Sequence, residues 1–129
     1  MIKVKPNSLE AIILFCLYIS AQDGEISSEE VKQLLIESPF FKKLYFDIYG
    51  ELIELDIADL IERIEKLMLT MPEIVGSTVS KSEKSLFSNL LTDLKVQDMA
   101  LIMSRHVASA DDLHQLEALK FDYWTDQWG

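Results

Sequence analysis

Residues 11–19 carry no charge, and the run leads into an acidic turn, Asp23-Gly24-Glu25-Ile26-Ser27-Ser28-Glu29-Glu30. Leu9, Ile12, Ile13 and Cys16 recur at the spacing of one helix face, while Phe15, Leu17 and Ile19 fill the others. A helix that is apolar all round is stable only when it is surrounded. The rest of the chain therefore has to be built around this segment, which predicts a central, most buried helix. Ser8 stands where an N-cap belongs, and Gly24 where the backbone can reverse. The run falls short of the roughly 20 residues a helix needs to cross a bilayer.

Helical spacing continues through nearly every later apolar segment. Ser27 and Glu30 make a capping box for a second helix, with Val31, Leu34 and Leu35 as its inner stripe. Pro39 predicts that this helix stops near Glu37, because the residue before a proline disfavours helical geometry. Residues 40–52 are aromatic and read as a further helix broken near Gly50. Asp56 opens the clearest amphipathic helix, with Ile57, Leu60, Ile61, Ile64, Leu67, Met68 and Met71 on one face. Asp59–Arg63 and Glu62–Lys66 are spaced as surface pairs on it.

Residues 72–79 read as a loop, and Ser80 with Glu83 forms a second capping box. Leu86, Phe87, Leu90, Leu91 and Leu94 line the face that follows. Another helix is expected over residues 97–110, with Met99, Ile102, Met103, His106 and Val107 inward. A last helix carries Leu116, either Leu119 or Lys120, Tyr123 and Trp124 on its inner face. No alternating strand pattern of useful length occurs. The expectation is an all-α single domain over residues 1–129, a bundle of six or seven helices large enough to bury a core.

Charge narrows the partners. A net charge of −10 is wrong for nucleic acid, whose phosphates require Lys and Arg, and for anionic membrane surfaces. It suits a metal cation or a basic protein partner, and equally an acidic, well-solvated surface. One cysteine, Cys16, rules out an intrachain disulfide, and its apolar helix predicts a buried, unreactive thiol. Lys3 and Lys5 before an apolar run imitate a signal peptide, but Pro6, Asn7, Ser8 and Glu10 read as a helix start. Cleavage after Ala21 would also sever the first helix from its turn, so the expected location is cytoplasmic, without membrane insertion. A homodimer is left open.

The acidic turn matches the second half of a calcium-binding EF-hand loop through Asp23, Gly24, Ile26 and Glu30. The preceding ligand positions fall on Ile19 and Ala21, which offer no side-chain oxygen, so a conventional calcium loop is not expected. A related pattern recurs as Asp111-Asp112-Leu113-His114-Gln115-Leu116-Glu117. Together the two stretches resemble the tellurite-resistance TerB-like family, whose members carry an Asp-Gly-x-Ile/Leu-Ser-x-x-Glu junction and repeat it near the C-terminus. In the second stretch Asp112 stands where the family usually has Gly, and the turn is one residue shorter.

That resemblance implies two related helical hairpins and two neighbouring acidic turns able to hold a divalent cation. It also implies an association with bacterial stress and tellurite resistance. The matching carboxylates are Asp23, Glu30, Asp111 and Glu117, with Glu25 and Asp112 as neighbours able to join them. His114, three residues after Asp111, could add a nitrogen. Oxygen donors favour calcium or magnesium over zinc. Helix capping accounts for the same residues without any ion.

His106 falls on an apolar stripe and reads as a core or boundary histidine. Phe121, Trp124 and Trp128 share a face and read as core. Phe40, Phe41, Tyr45, Phe46 and Tyr49 form a denser aromatic group beside Lys42 and Lys43, a second place where a protein partner could dock. No nucleophile elbow, phosphate loop, dinucleotide fingerprint or zinc-protease motif occurs. The expected class is a non-catalytic binding domain. A metal-assisted enzyme or accessory subunit and a purely structural interaction subunit are the alternatives.

Overall fold

A computed structural model describes residues 4–22, 26–76, 78–109 and 115–128. It contains six α-helices: α1 (Leu9–Ser20), α2 (Ser28–Tyr49), α3 (Ile57–Thr70), α4 (Lys81–Leu90), α5 (Leu94–Ala108) and α6 (Gln115–Trp128). A short 3-10 turn, Pro72–Ile74, lies between α3 and α4. There is no strand among the described residues.

Every residue of α1 except Glu10 is buried, as its unbroken apolar run requires. It packs most extensively on α5 and also touches α2, α3 and α6. The Ser8 hydroxyl accepts from the Ala11 N–H at 3.1 Å, so the N-cap expected from sequence is present. Side chains of α4 and α6 reach α1 through an aromatic cluster. Phe15 meets Phe87 and Trp124 edge to face, and Tyr18 stacks on Phe87 with ring centres 4.3 Å apart. Such pairs add about 0.5–1.5 kcal/mol each beyond the area they bury.

Asn7 ties the start of α1 to the start of α5. Its N–H donates to the Leu90 carbonyl at 2.7 Å. Its side-chain oxygen accepts from the N–H groups of Thr92 and Asp93 at 2.8 and 2.9 Å. Its carbonyl accepts from the Tyr45 hydroxyl at 2.8 Å. The residue adopts φ 58°, a left-handed conformation that asparagine tolerates better than other side chains. Helices α1 and α5 therefore begin side by side.

Several expectations need correction. Helix α2 does not stop near Glu37; it continues through Pro39 to a left-handed cap at Gly50, φ 72°. Pro39 removes the N–H that would bond the Leu35 carbonyl, and the Ser38 hydroxyl donates to that carbonyl instead, at 3.4 Å. Leu35, placed on the inner stripe, is exposed, and the buried stripe is Glu30, Leu34, Phe41 and Tyr45. Leu94 does not extend the α4 face. The Asp93 side chain accepts from the Lys95 N–H at 2.9 Å and starts α5 there, leaving Leu94 outward. On α5, Ile102 and His106 point away from the core. Val96, Met99, Ala100, Met103 and Val107 form the buried face.

Other readings hold. Both capping boxes are formed, at Ser27/Glu30 and Ser80/Glu83. Leu60, Ile64 and Leu67 are the buried line of α3, and Arg63 and Lys66 pair with Asp59 and Glu62 at 2.9 and 3.1 Å. Trp124 is in the core. Of the two choices offered for α6, Lys120 faces inward and Leu119 outward.

Candidate functional site

The turn between α1 and α2 and the turn between α5 and α6 carry the predicted ligands. Asp23, Glu25, Asp111, Asp112 and His114 lie outside the described residues. Glu30 and Glu117 are described. Each is only 2% exposed, and each sits in the first turn of its helix. The Glu30 carboxylate accepts from the Ser27 N–H at 3.0 Å while the Ser27 hydroxyl accepts from the Glu30 N–H at 3.1 Å. No group of three or more His, Cys, Asp or Glu side chains is placed to hold a metal ion among the described residues.

Beneath this end of the molecule lies a buried polar network that the sequence did not announce. Glu83, the inner partner of the α4 capping box, accepts from the Ser80 N–H at 3.2 Å. Its other oxygen accepts from the Lys120 ammonium and from the Tyr18 hydroxyl. The ammonium also donates to the Ile74 carbonyl at 3.1 Å, and the Trp124 N–H donates to the Tyr18 oxygen at 3.2 Å. Lys120 and Glu83 are both 0% exposed. Just past the end of α1, Gln22 donates to the Tyr18 carbonyl at 2.7 Å and accepts from the Gly76 N–H at 3.0 Å.

Each helix supplies its group for a local reason. Tyr18 lies on the all-apolar helix, where its ring packs and its hydroxyl must find a partner. Ser80 fixes Glu83 in the first turn of α4. Lys120 falls on the same stripe of α6 as Glu117 and Trp124, three and four residues away, so all three point inward together. Burial pulls the Lys120 ammonium below its ordinary range, against the opposing pull of the Glu83 carboxylate. Burial pushes the Tyr18 phenol up, and the hydrogen bond to Glu83 adds to the rise. Closed off from solvent, this network cannot reach a substrate. It anchors α6 and the 3-10 turn to α1 and α4.

Glu117 stands one helical turn before Lys120, and Lys120 reaches the C-terminal part of α1, from which the first acidic turn departs. Glu30 opens the helix that follows that turn. Both described carboxylates therefore belong to the same end of the bundle.

His106, read as a core or boundary histidine, is half exposed and lies 3.5 Å from a Glu37 oxygen, linking α5 to α2 at the surface. Cys16 is buried, and desolvation pushes its thiol up, away from the reactive thiolate, in agreement with the expected inert thiol. A surface groove between α3 and α4 is floored by Leu67, Met71, Leu86 and Leu90 and rimmed by Ser82 and Ser85. Its lining contains no carboxylate or histidine, so it offers no acid–base pair. Comparison with known protein families, with curated proteins and with solved structures finds no match.

Proposed function

We propose that the chain is a non-catalytic, TerB-like helical domain that binds one divalent cation, calcium or magnesium, through its two acidic turns. In this reading it serves bacterial stress or tellurite resistance by presenting that site to a protein partner. The observation that carries the reading is the burial of Glu30 and Glu117, the two matching carboxylates among the described residues, at one end of the bundle. A cation shared between the turns would add to the partners these carboxylates already have and would draw in Asp23 and Asp111. Hard cations are held by clusters of such oxygens.

Thermal melts titrated with calcium, magnesium, manganese and zinc test the proposal. Calcium or magnesium is expected to raise the midpoint in proportion to the logarithm of its concentration. The gain is about 2.7 kcal/mol at a hundredfold excess over the dissociation constant. Replacing Asp23 and Asp111 together by Asn should remove that response. If no ion moves the wild-type midpoint beyond that of the double variant, the turns are helix caps and nothing more.

A further inference from the structure

The groove between α3 and α4 is left open by the way those helices are held. Helix α3 packs on α1 and on the 3-10 turn, and α4 reaches α1 through Phe87, but the two do not pack closely on one another. The space between them encloses about 780 Å³. Small-molecule sites are clefts of about 300–1,000 Å³, mostly apolar, with a few polar groups that fix orientation. Leu67 and Leu90 bring the outer surface of the core to the floor of this one, and Met71 and Leu86 complete it. Ser82, Ser85 and Asn89 follow one edge of α4 at helical spacing, and Thr70 contributes from α3.

One charge enters the lining, Lys81 in the first turn of α4. It is exposed and forms no ion pair with another described residue. No carboxylate lines the groove, on a chain with 22 acidic and 12 basic residues. The charges within two positions of the lining leave this balance unchanged. Lys5, Lys66 and Glu83 are each paired, with Glu51, Glu62 and Lys120. Glu73 and Lys84 are opposite in sign. Glu65, two residues before Leu67, is turned to the far side of α3. At physiological salt, exposed charges more than about 8 Å apart are largely screened, so the acidic surface elsewhere does not cancel Lys81.

From this lining we infer that the groove binds a single-chain amphiphile with an anionic head, a medium-chain fatty carboxylate being the simplest. The head meets Lys81 beside Ser82, and the chain lies over Leu86, Leu67 and Met71 toward Leu90. The stretch of α4 from Lys81 to Leu90 is about 14 Å long at 1.5 Å per residue, which suits a chain of moderate length. A cationic head would be repelled by Lys81, and a wholly apolar ligand would leave Lys81 unanswered. The groove is built from none of the acidic-turn residues and does not depend on the cation proposal.

The test is methyl NMR of the protein carrying isotope-labelled methionine, since Met71 lies in the floor of the groove and Met103 in the core. Decanoate, below its micellar concentration and in buffer free of divalent cations, should shift the Met71 signal saturably and leave Met103 in place. Octanoate should bind about tenfold or more weakly, since each buried methylene contributes roughly fourfold. Decyltrimethylammonium should not bind. Lys81→Ala should weaken decanoate binding about two- to fivefold, the range of an exposed ion pair. Ser85→Trp, which fills the groove from an exposed position, should abolish it. Both are surface positions, and unchanged circular dichroism will confirm the fold of each variant. The inference is overturned if decanoate leaves Met71 unmoved, if octanoate or decyltrimethylammonium binds as well, or if either variant binds like the wild type. It is also overturned if Met71 responds only to phosphatidylglycerol vesicles, since the groove is then a membrane contact.

Discussion

Lys120 is the residue on which most depends. Its ammonium is fully buried and held by a carboxylate and a backbone carbonyl. Replacing it by Met keeps the length of the side chain but strands Glu83 beside the Tyr18 hydroxyl in a dry interior. Breaking one half of a buried ion pair costs about 3–5 kcal/mol. Lys120→Met should therefore lower unfolding stability in urea by that order. Adding Glu83→Gln should recover part of the loss, because the surviving partner no longer carries a charge. A Lys120→Met protein as stable as wild type would mean that the pair contributes nothing net. Composition could not have revealed this pair. Glu83 was visible as a capping residue and Lys120 as one of two inward choices, but their meeting depends on a separation of 37 residues closed by tertiary packing. Local spacing carries no information about it.

At the scale of the element, the signals that act within one turn were legible. Ser8, Ser27, Asp56 and Ser80 all cap the helices they precede, because a side-chain oxygen and the N–H two or three residues on are fixed by local geometry. Gly50 closes α2 for the same local reason. Pro39 misled because its effect depends on what surrounds it. It sits on the exposed side of a helix held by Leu34, Phe41 and Tyr45, and the Ser38 hydroxyl answers the carbonyl it orphans. Proline in a helix interior still costs up to about 3 kcal/mol relative to alanine. Pro39→Ala should therefore stabilise the protein by about 1–3 kcal/mol in urea unfolding, with a slight gain in helix signal. A loss of stability would show that the proline-shaped bend is needed for α2 to reach α5. The inner face of α5 was partly misplaced because Ile102 and Met103 compete for it. Tertiary packing, most extensively on α1, turns Met103 in and leaves Ile102 out.

Across the whole molecule, the titrating groups of the core set a limit at alkaline pH. Burial raises the Cys16 thiol above its ordinary 9.0, and it raises the phenols of Tyr18, Tyr45 and Tyr49 above 10.0, Tyr49 to about 12. The folded state keeps these protons after the unfolded chain has released them. Stability from these groups is whole below their unfolded values and is lost as pH rises past them. Lys120 works the other way. Its folded value lies below 10.5, so its contribution grows with pH up to 10.5, which offsets the single cysteine but not three phenols. The melting midpoint should fall steadily from pH 10 to about pH 11; an unchanged or rising midpoint over that range would contradict the buried assignment of these groups. The acidic turns were legible as a pattern but not as a site, because the ligands they would share come from opposite halves of the chain. The Asn7 clasp has a consequence for synthesis. Of the described helices, α1 is made before the others and has no polar face, and its main cover, α5, is joined to it across 86 residues. At roughly 5–20 residues per second, α1 waits several seconds for that cover. Transiently exposed apolar surface of this kind is prone to aggregation. A chain ended after Thr92 should hold this state permanently, binding a hydrophobic dye strongly and depending on a holdase for solubility; a soluble, dye-silent fragment would show that α2 and α3 shelter α1 by themselves.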